Sequence, residues 1–423
     1  MDKVTRWLGS GLAFLLILSA TSCGGGNPPG SGSSSSTGSV AAASNVVSVV
    51  VDSGPTTAAG SVDSVNTLFT TVTICVPGST TECQTIDHIQ VDTGSYGLRI
   101  LAPVLTLALP VTTASDGNSL VECTQFVDGY SWGPVALADV QVSGETASSL
   151  PIQVIGSSNF TTVPDACSGT GPSNTAEDTV AAFGANGILG IGALELDCGA
   201  SCVSNAANGD YYSCSATACV GITASLANQV PNPVSRFTTD NNGTIIDLPT
   251  VAAAGAATVT GSLIFGIDTQ ANNASGTQTV LTLAPSSSQT IFPGNFTITF
   301  DGQPLSESFI DSGTNGIYFN DNNLVQCNES DFTGFYCPSS TQTFTATLMG
   351  ENAVSTTATF SVGNAQTIFT DNPTFAALPA IAGTYSSSSE TFDWGLAFYY
   401  GRRVATAIED HTTSVGAGPY VAF

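Results

Sequence analysis

The chain has 423 residues, too many for one small hydrophobic core, and its length anticipates about two or three domains. Only 9% of residues are charged, and 32 acidic against 6 basic side chains give a net charge of −26. Such a surface repels nucleic acid and anionic lipid headgroups, which excludes both as partners of the folded part.

The chain opens with Lys3 and Arg6, a short apolar stretch over 8–20, and then Ala20-Thr21-Ser22-Cys23 followed by three glycines. This resembles a bacterial lipoprotein signal with Cys23 as the acylated residue, although Ala20 stands where leucine is usual. The apolar run is too short for a stable membrane span. Segment 1–23 therefore predicts an exported protein, lipid-anchored in the cell envelope. Gly24 after the cysteine favours the outer membrane of a Gram-negative source. The alternative is an ordinary secretory signal and a secreted protein. Residues 24–44 are Gly, Ser, Pro and Ala without apolar periodicity and read as a flexible tether.

From residue 45 the chain reads as β structure. Val, Ile, Thr and Phe run in short stretches, and Gly, Asn, Asp and Pro break them about every ten residues. Strands are predicted over 45–51, 69–76, 152–155, 262–267, 296–300 and 344–348. Apolar spacing of helical period is scarce. The short helix candidates are 101–109, limited by Pro103 and Pro110, and 224–230.

Besides Cys23 there are ten cysteines, an even number that predicts up to five disulfides in an exported chain. Cys75 and Cys83 flank a turn and are candidates to staple a hairpin. Cys327 and Cys337 bracket a short loop, and Cys123 and Cys167 are left to pair by exclusion. Cys198, Cys202, Cys214 and Cys219 form a small-residue knot whose pairing stays open. Its spacing also fits zinc, but export favours disulfides, and no metal is expected.

Two segments follow one pattern. Val91-Asp92-Thr93-Gly94-Ser95-Tyr96-Gly97-Leu98 and Ile310-Asp311-Ser312-Gly313-Thr314-Asn315-Gly316-Ile317 lie about half the chain apart. Each follows a predicted hairpin. The first turns between Cys75 and Cys83; the second turns at Asp301-Gly302, a strong hairpin signal. The duplication predicts two carboxylates brought together by a pseudo-twofold axis. Carboxylates that close cannot both ionise cheaply, so they share one proton. The ionised member then activates water, and the protonated member donates to a carbonyl. The bland alternative is a pair of polar turn residues in a duplicated β fold. A third Asp-Ser-Gly, at Asp52, lacks the following glycine and reads as a strand end and turn. His88 and His411 have no Ser or Cys nucleophile context and read as structural or solvated.

These motifs, with landmarks in the same order, resemble the pepsin family of bilobal aspartic peptidases. Gly187-Ile188-Leu189-Gly190 is similar to the segment that closes the family's first lobe, residues 261–268 to its interlobe strand, and 394–409 to its closing strands. The chain is also similar to a bacterial lipoprotein family of unknown function. The resemblance implies an all-β fold of two pseudo-twofold-related, β-barrel-like lobes about a central cleft, with lobes at 45–220 and 221–423. It implies a monomeric aspartic endopeptidase with Asp92 and Asp311 as dyad, no cofactor, and a peptide or protein substrate. Thr93 and Ser312 would brace the two loops, Gly94 and Gly313 allow their tight turns, and Ser95 and Thr314 hydrogen-bond the outer carboxylate oxygens. The flap hairpin falls on 123–133. There Phe126 stands at the family's Tyr position, and Tyr130 and Trp132, across the Asp128-Gly129 turn, are its candidate substitutes. Arg99 stands where the family often has the Trp that binds the flap Tyr. These departures support an alternative: a lipoprotein that binds peptides or proteins and has lost turnover.

Overall fold

The computed structural model describes residues 44–58, 60–169, 175–207, 209–385 and 388–423. The signal segment with Cys23, and the tether except Ser44, lie outside these residues.

The fold is all-β and bilobal. Strands form where β-branched and aromatic residues alternate with polar ones, and the predicted strand segments fall on or within strands to within about two residues. One 15-stranded sheet runs through both halves of the chain, and a seven-stranded sheet belongs to the second half. Val46–Val51 joins the halves. It pairs antiparallel along its whole length with Val259–Phe265 and, at Val50 and Val51, with Leu68–Cys75. Asn66 adds a polar tie between them. Its fully buried amide donates to Asn315 O at 2.8 Å and Leu378 O at 2.9 Å, and accepts from Tyr400 OH at 2.8 Å.

The same three-strand unit occurs in each half and sets the site. In the first, Cys83–Asp92 carries the chain into the Asp loop and Tyr96–Leu101 carries it out. Gly187–Ile191 lies between them, parallel to the former and antiparallel to the latter. In the second, Gln303–Ile310 enters, Ile317–Tyr318 leaves, and Asp393–Trp394 lies between with the same two senses. The turn before Gln303–Ile310 is the two-residue Asp301-Gly302, with φ of 47° and 74°. Positive φ at both positions is the hairpin geometry that Asp-Gly favours.

The second unit rests on an aromatic core. Trp394 is fully buried, 4.5 Å from the Phe392 ring and 5.1 Å from Phe360, and Phe319 stacks on Phe392 at 4.9 Å. Adjacent residues of a strand face opposite ways. With Trp394 fixed in the core, Asp393 is turned toward the cleft.

Both helix candidates contain only single 3-10 turns, Ala102–Val104 and Leu226–Asn228. Pro103 and Pro110 remove backbone donors from the first. In the second, the backbone turns extended at Gln229 (ψ 155°), whose side-chain Nε2 donates to Gly199 O and Ala224 O. Five disulfides form: Cys75–Cys83, Cys123–Cys167, Cys198–Cys202, Cys214–Cys219 and Cys327–Cys337. The four-cysteine knot thus pairs between nearest neighbours. Cys198, Cys202 and Asp210 lie together, but the two sulfurs are bonded to each other and offer no thiolate ligands.

Candidate active site at the paired Asp loops

Asp92 ends the strand Cys83–Asp92 and Asp311 directly follows Gln303–Ile310, and each loop folds back on its own carboxylate. Gly94 N–H donates to Asp92 Oδ1 at 2.8 Å, and Gly313 N–H donates to Asp311 Oδ1 at 2.7 Å. Ser95 Oγ donates to Asp92 Oδ2, and Thr314 Oγ1 donates to Asp311 Oδ2 at 3.0 Å. The two loops therefore bind their carboxylates in the same manner.

The loops also meet directly. A Cβ on Gly94 would stand 2.5 Å from the Asp311 carboxyl, and one on Gly313 would stand 2.5 Å from Asp92 Oδ1. Glycine is required at both places so that each carboxylate can lie against the opposite loop. Beneath them, Ser312 N–H donates to Thr93 Oγ1 at 2.9 Å and Thr93 N–H donates to Ser312 Oγ at 3.1 Å. The Thr93 hydroxyl also reaches Ile310 O (3.3 Å) and Tyr399 OH (2.9 Å), and Ser312 Oγ donates to Val91 O (2.8 Å).

Asp92 is 4% exposed. The Asp311 carboxyl is pushed well above the usual carboxylate range, first by burial, then by the charges of Asp92 and Asp393. A raised carboxyl beside a second carboxyl is the arrangement in which one proton serves two groups.

The dyad opens into a cleft of ≈ 390 Å³ that runs beneath the hairpin of Ser119–Gln125 and Tyr130–Val142. Phe126 and Asp128, in the turn of that hairpin, line it. Phe126 packs edge-on to Phe183 at 6.2 Å. The other residues of the expected flap set face elsewhere. Tyr130 and Trp132 are 8% and 4% exposed and pack on Cys123, Cys167 and Tyr212 on the outer side of the hairpin. Trp132 Nε1 donates to Phe160 O at 2.8 Å. Gly129 lies against Thr175 and Glu177. Arg99 does touch the flap strand, by polar contacts: Nε donates to Thr124 Oγ1 at 2.9 Å and an Nη donates to Glu122 Oε1 at 2.6 Å.

Among the cleft residues that sequence reasoning missed, three bond the second Asp loop. Gln90 reaches across to Gly313 O at 3.0 Å. Tyr318 lines the wall and donates to Asn315 Oδ1 at 2.7 Å. Asp393 adds a third carboxyl, with Oδ2 3.0 Å from Thr314 Oγ1. The pattern of inserted strands would have indicated Asp393 only once its register was known.

A family described as "Protein of unknown function (DUF3443)" matches residues 41–423, and the chain belongs to it. A search of curated proteins finds no match. Among solved structures, the chain is similar to the aspartic proteinase from Irpex lacteus, with 15% identity and a TM-score of 0.51 over 89% of this chain and 96% of that one. The likeness establishes a pepsin-like fold. Among the described residues no helix is long and apolar enough to cross a membrane, and five disulfides fit an oxidising compartment outside the cytoplasm.

Proposed function

We propose that this family member is an aspartic endopeptidase that hydrolyses peptide bonds of extended chains in the central cleft. The observation that carries the reading is the mutual seating of Asp92 and Asp311 against each other's glycine, with matched hydrogen bonds at both loops. In the reaction, one carboxylate takes a proton from water as the water oxygen adds to the scissile carbonyl carbon. The protonated carboxyl gives its proton to the carbonyl oxygen. The diol then returns a proton to one carboxylate while the other carboxyl protonates the nitrogen, and the C–N bond breaks. The pair ends with the single proton it started with. We assign the lobes to 45–220 and 221–423 and the site of action to the cell envelope, with Cys23 as lipid anchor.

The test is cleavage of a mixed peptide library from pH 3 to 7 by the protein and by its Asp92→Asn and Asp311→Asn variants. Cleavage lost in both variants supports the reading. Cleavage that persists in either one removes it.

A second reading, peptide binding without turnover, is favoured by the flap. Phe126 brings no hydroxyl to the cleft, and Tyr130 and Trp132 pack on the outer side. Pepstatin binding by a folded protein that cleaves nothing supports this second reading.

A further inference from the structure

We infer that the part of the cleft beside Asp311 is a subsite for a basic side chain, lysine or arginine, of the bound peptide, with Asp393 as its counter-charge. The inference rests on the peptide-cleft reading above and names a substrate class for it.

Strand register carries the first step. In the first half Gln90, two residues before Asp92, pairs with Ile188. In the second half Phe309, two residues before Asp311, pairs with Asp393. Ile188 and Asp393 therefore hold equivalent positions in the two units, and both line the cleft. Ile188 belongs to an apolar cluster with Phe126 and Phe183. Thr314 bonds Asp393, Tyr318 pairs with it across the strands, Phe335 packs on Tyr318 and Phe369 on Phe335, and Tyr385 packs on Phe309; all of these line the cleft. One subsite is thus apolar, and its counterpart has aromatic walls and a carboxyl where the first has an isoleucine.

The state of that carboxyl carries the second step. Asp393 is 4% exposed. Its Oδ2 shares the Thr314 hydroxyl with Asp311 Oδ2, 3.0 Å from each, and one hydroxyl hydrogen can serve only one of them. Its buried Oδ1 has no hydrogen-bond partner among the described residues. Among the described residues, Arg99, Arg236 and Arg403 pair with Glu122, Asp197, Glu195 and Asp247, and no arginine pairs with Asp393. A buried carboxylate without a cation is costly. Burial, and after it the charge of Asp92, push the Asp393 carboxyl well up. A cation brought by the peptide to the cleft face of this carboxyl supplies the missing counter-charge and offsets both effects. The methylene stem of lysine or arginine suits the aromatic walls, and its charged end gains from their faces.

The test uses peptides identical except for lysine, arginine, glutamine or norleucine at each residue flanking the scissile bond. The readouts are kcat/KM and, for non-cleavable reduced-amide versions, Kd by calorimetry. At one flanking position lysine and arginine are expected to exceed norleucine by about tenfold or more, as for a desolvated charge pair. In Asp393→Leu that ratio should fall to one or below. Equal handling of lysine and norleucine overturns the inference, as does glutamine preferred over lysine, or a basic preference unchanged in Asp393→Leu. If Asp393→Leu does not fold, the isosteric Asp393→Asn decides, because it too must reduce the ratio. If no peptide is cleaved, the peptidase reading fails separately, and the calorimetric ratio alone decides this inference.

Discussion

Thr93 and Ser312 exchange hydrogen bonds with each other across the pseudo-twofold. Each hydroxyl accepts the other's backbone N–H, at 2.9 and 3.1 Å, and each contacts the carbonyl of the strand that leads into the opposite loop. The positions of the two carboxylates are therefore set by side chains one residue away from them. The exchange is not fully symmetric, because only Thr93 has a further contact, with Tyr399 OH at 2.9 Å.

Thr93→Val should destabilise the protein by about 1–3 kcal/mol, since it leaves the buried Ser312 N–H without its acceptor. On the proposed peptidase reading it should also lower kcat more than it raises KM, because the loops would carry the reacting groups. Thr93→Ser keeps the hydroxyl and should restore most of both. Urea denaturation beside steady-state kinetics checks this; equal losses in the Ser and Val variants would contradict the assigned role.

Gly94→Ala and Gly313→Ala should each cut turnover by about 100-fold or more, the cost of moving a reacting group by about 1 Å. The added methyl meets the opposite carboxyl at 2.5 Å in either case. Pepstatin affinity should fall in step with turnover. A variant that keeps full turnover would show that the carboxylates do not lie as close as the geometry requires.

The pairing of Asp92 and Asp311 was legible because its signal is local and duplicated. Each copy contains its own Asp, hydroxyl and glycine, and the Asp301-Gly302 turn marks the hairpin that delivers the second copy. What was not legible depends on strand face and register. Tyr130 and Trp132 lie two apart and share a face, and their distance from Gly133 could not say which face. Trp132 pairs with Cys123, whose disulfide to Cys167 lies outside, so both rings go outside. Asp393 sits in a two-residue strand that has no sequence signal of its own. Its place beside the dyad follows from Trp394 being locked in an aromatic core with Phe319, Phe360 and Phe392, two of which lie far away in the chain.

Stability should fall as pH rises from about 4 to above 6. In the unfolded chain carboxyls titrate near 4. In the folded protein burial, and after it the charge of Glu122, push Asp210 up to about 6, with Arg99 opposing. Burial is also the main cause that raises Asp197, Asp311 and Asp393. Over this window the folded state holds more protons than the unfolded one, so each such proton contributes a loss of about 1.4 kcal/mol per pH unit. The contribution is complete below about pH 4 and is lost as pH climbs through 6. Repulsion within a net charge of −26 acts in the same direction. Urea midpoints at a series of pH values check the sign, and Asp210→Asn should flatten the portion near pH 6.

Arg99→Met should be strongly destabilising, by about 3–5 kcal/mol, because it strands Glu122 as a buried carboxylate without its cation. Arg99 is 1% exposed and Glu122 fully buried. Adding Glu122→Gln should recover part of that loss, since it removes one stranded charge while Asp197, 3.8 Å from Arg99, still lacks its cation. Activity should not recover with it. Arg99 also donates to Tyr96 O at 2.5 Å and to Thr124 Oγ1 at 2.9 Å. It thereby ties the strand that leaves the first Asp loop to the strand that ends in the flap turn. The double variant lacks that tie, and its kcat/KM should stay low even where denaturation shows it folded. If stability and kcat/KM recover together, the network serves the fold alone; if only stability recovers, Arg99 holds the flap strand in register with the dyad.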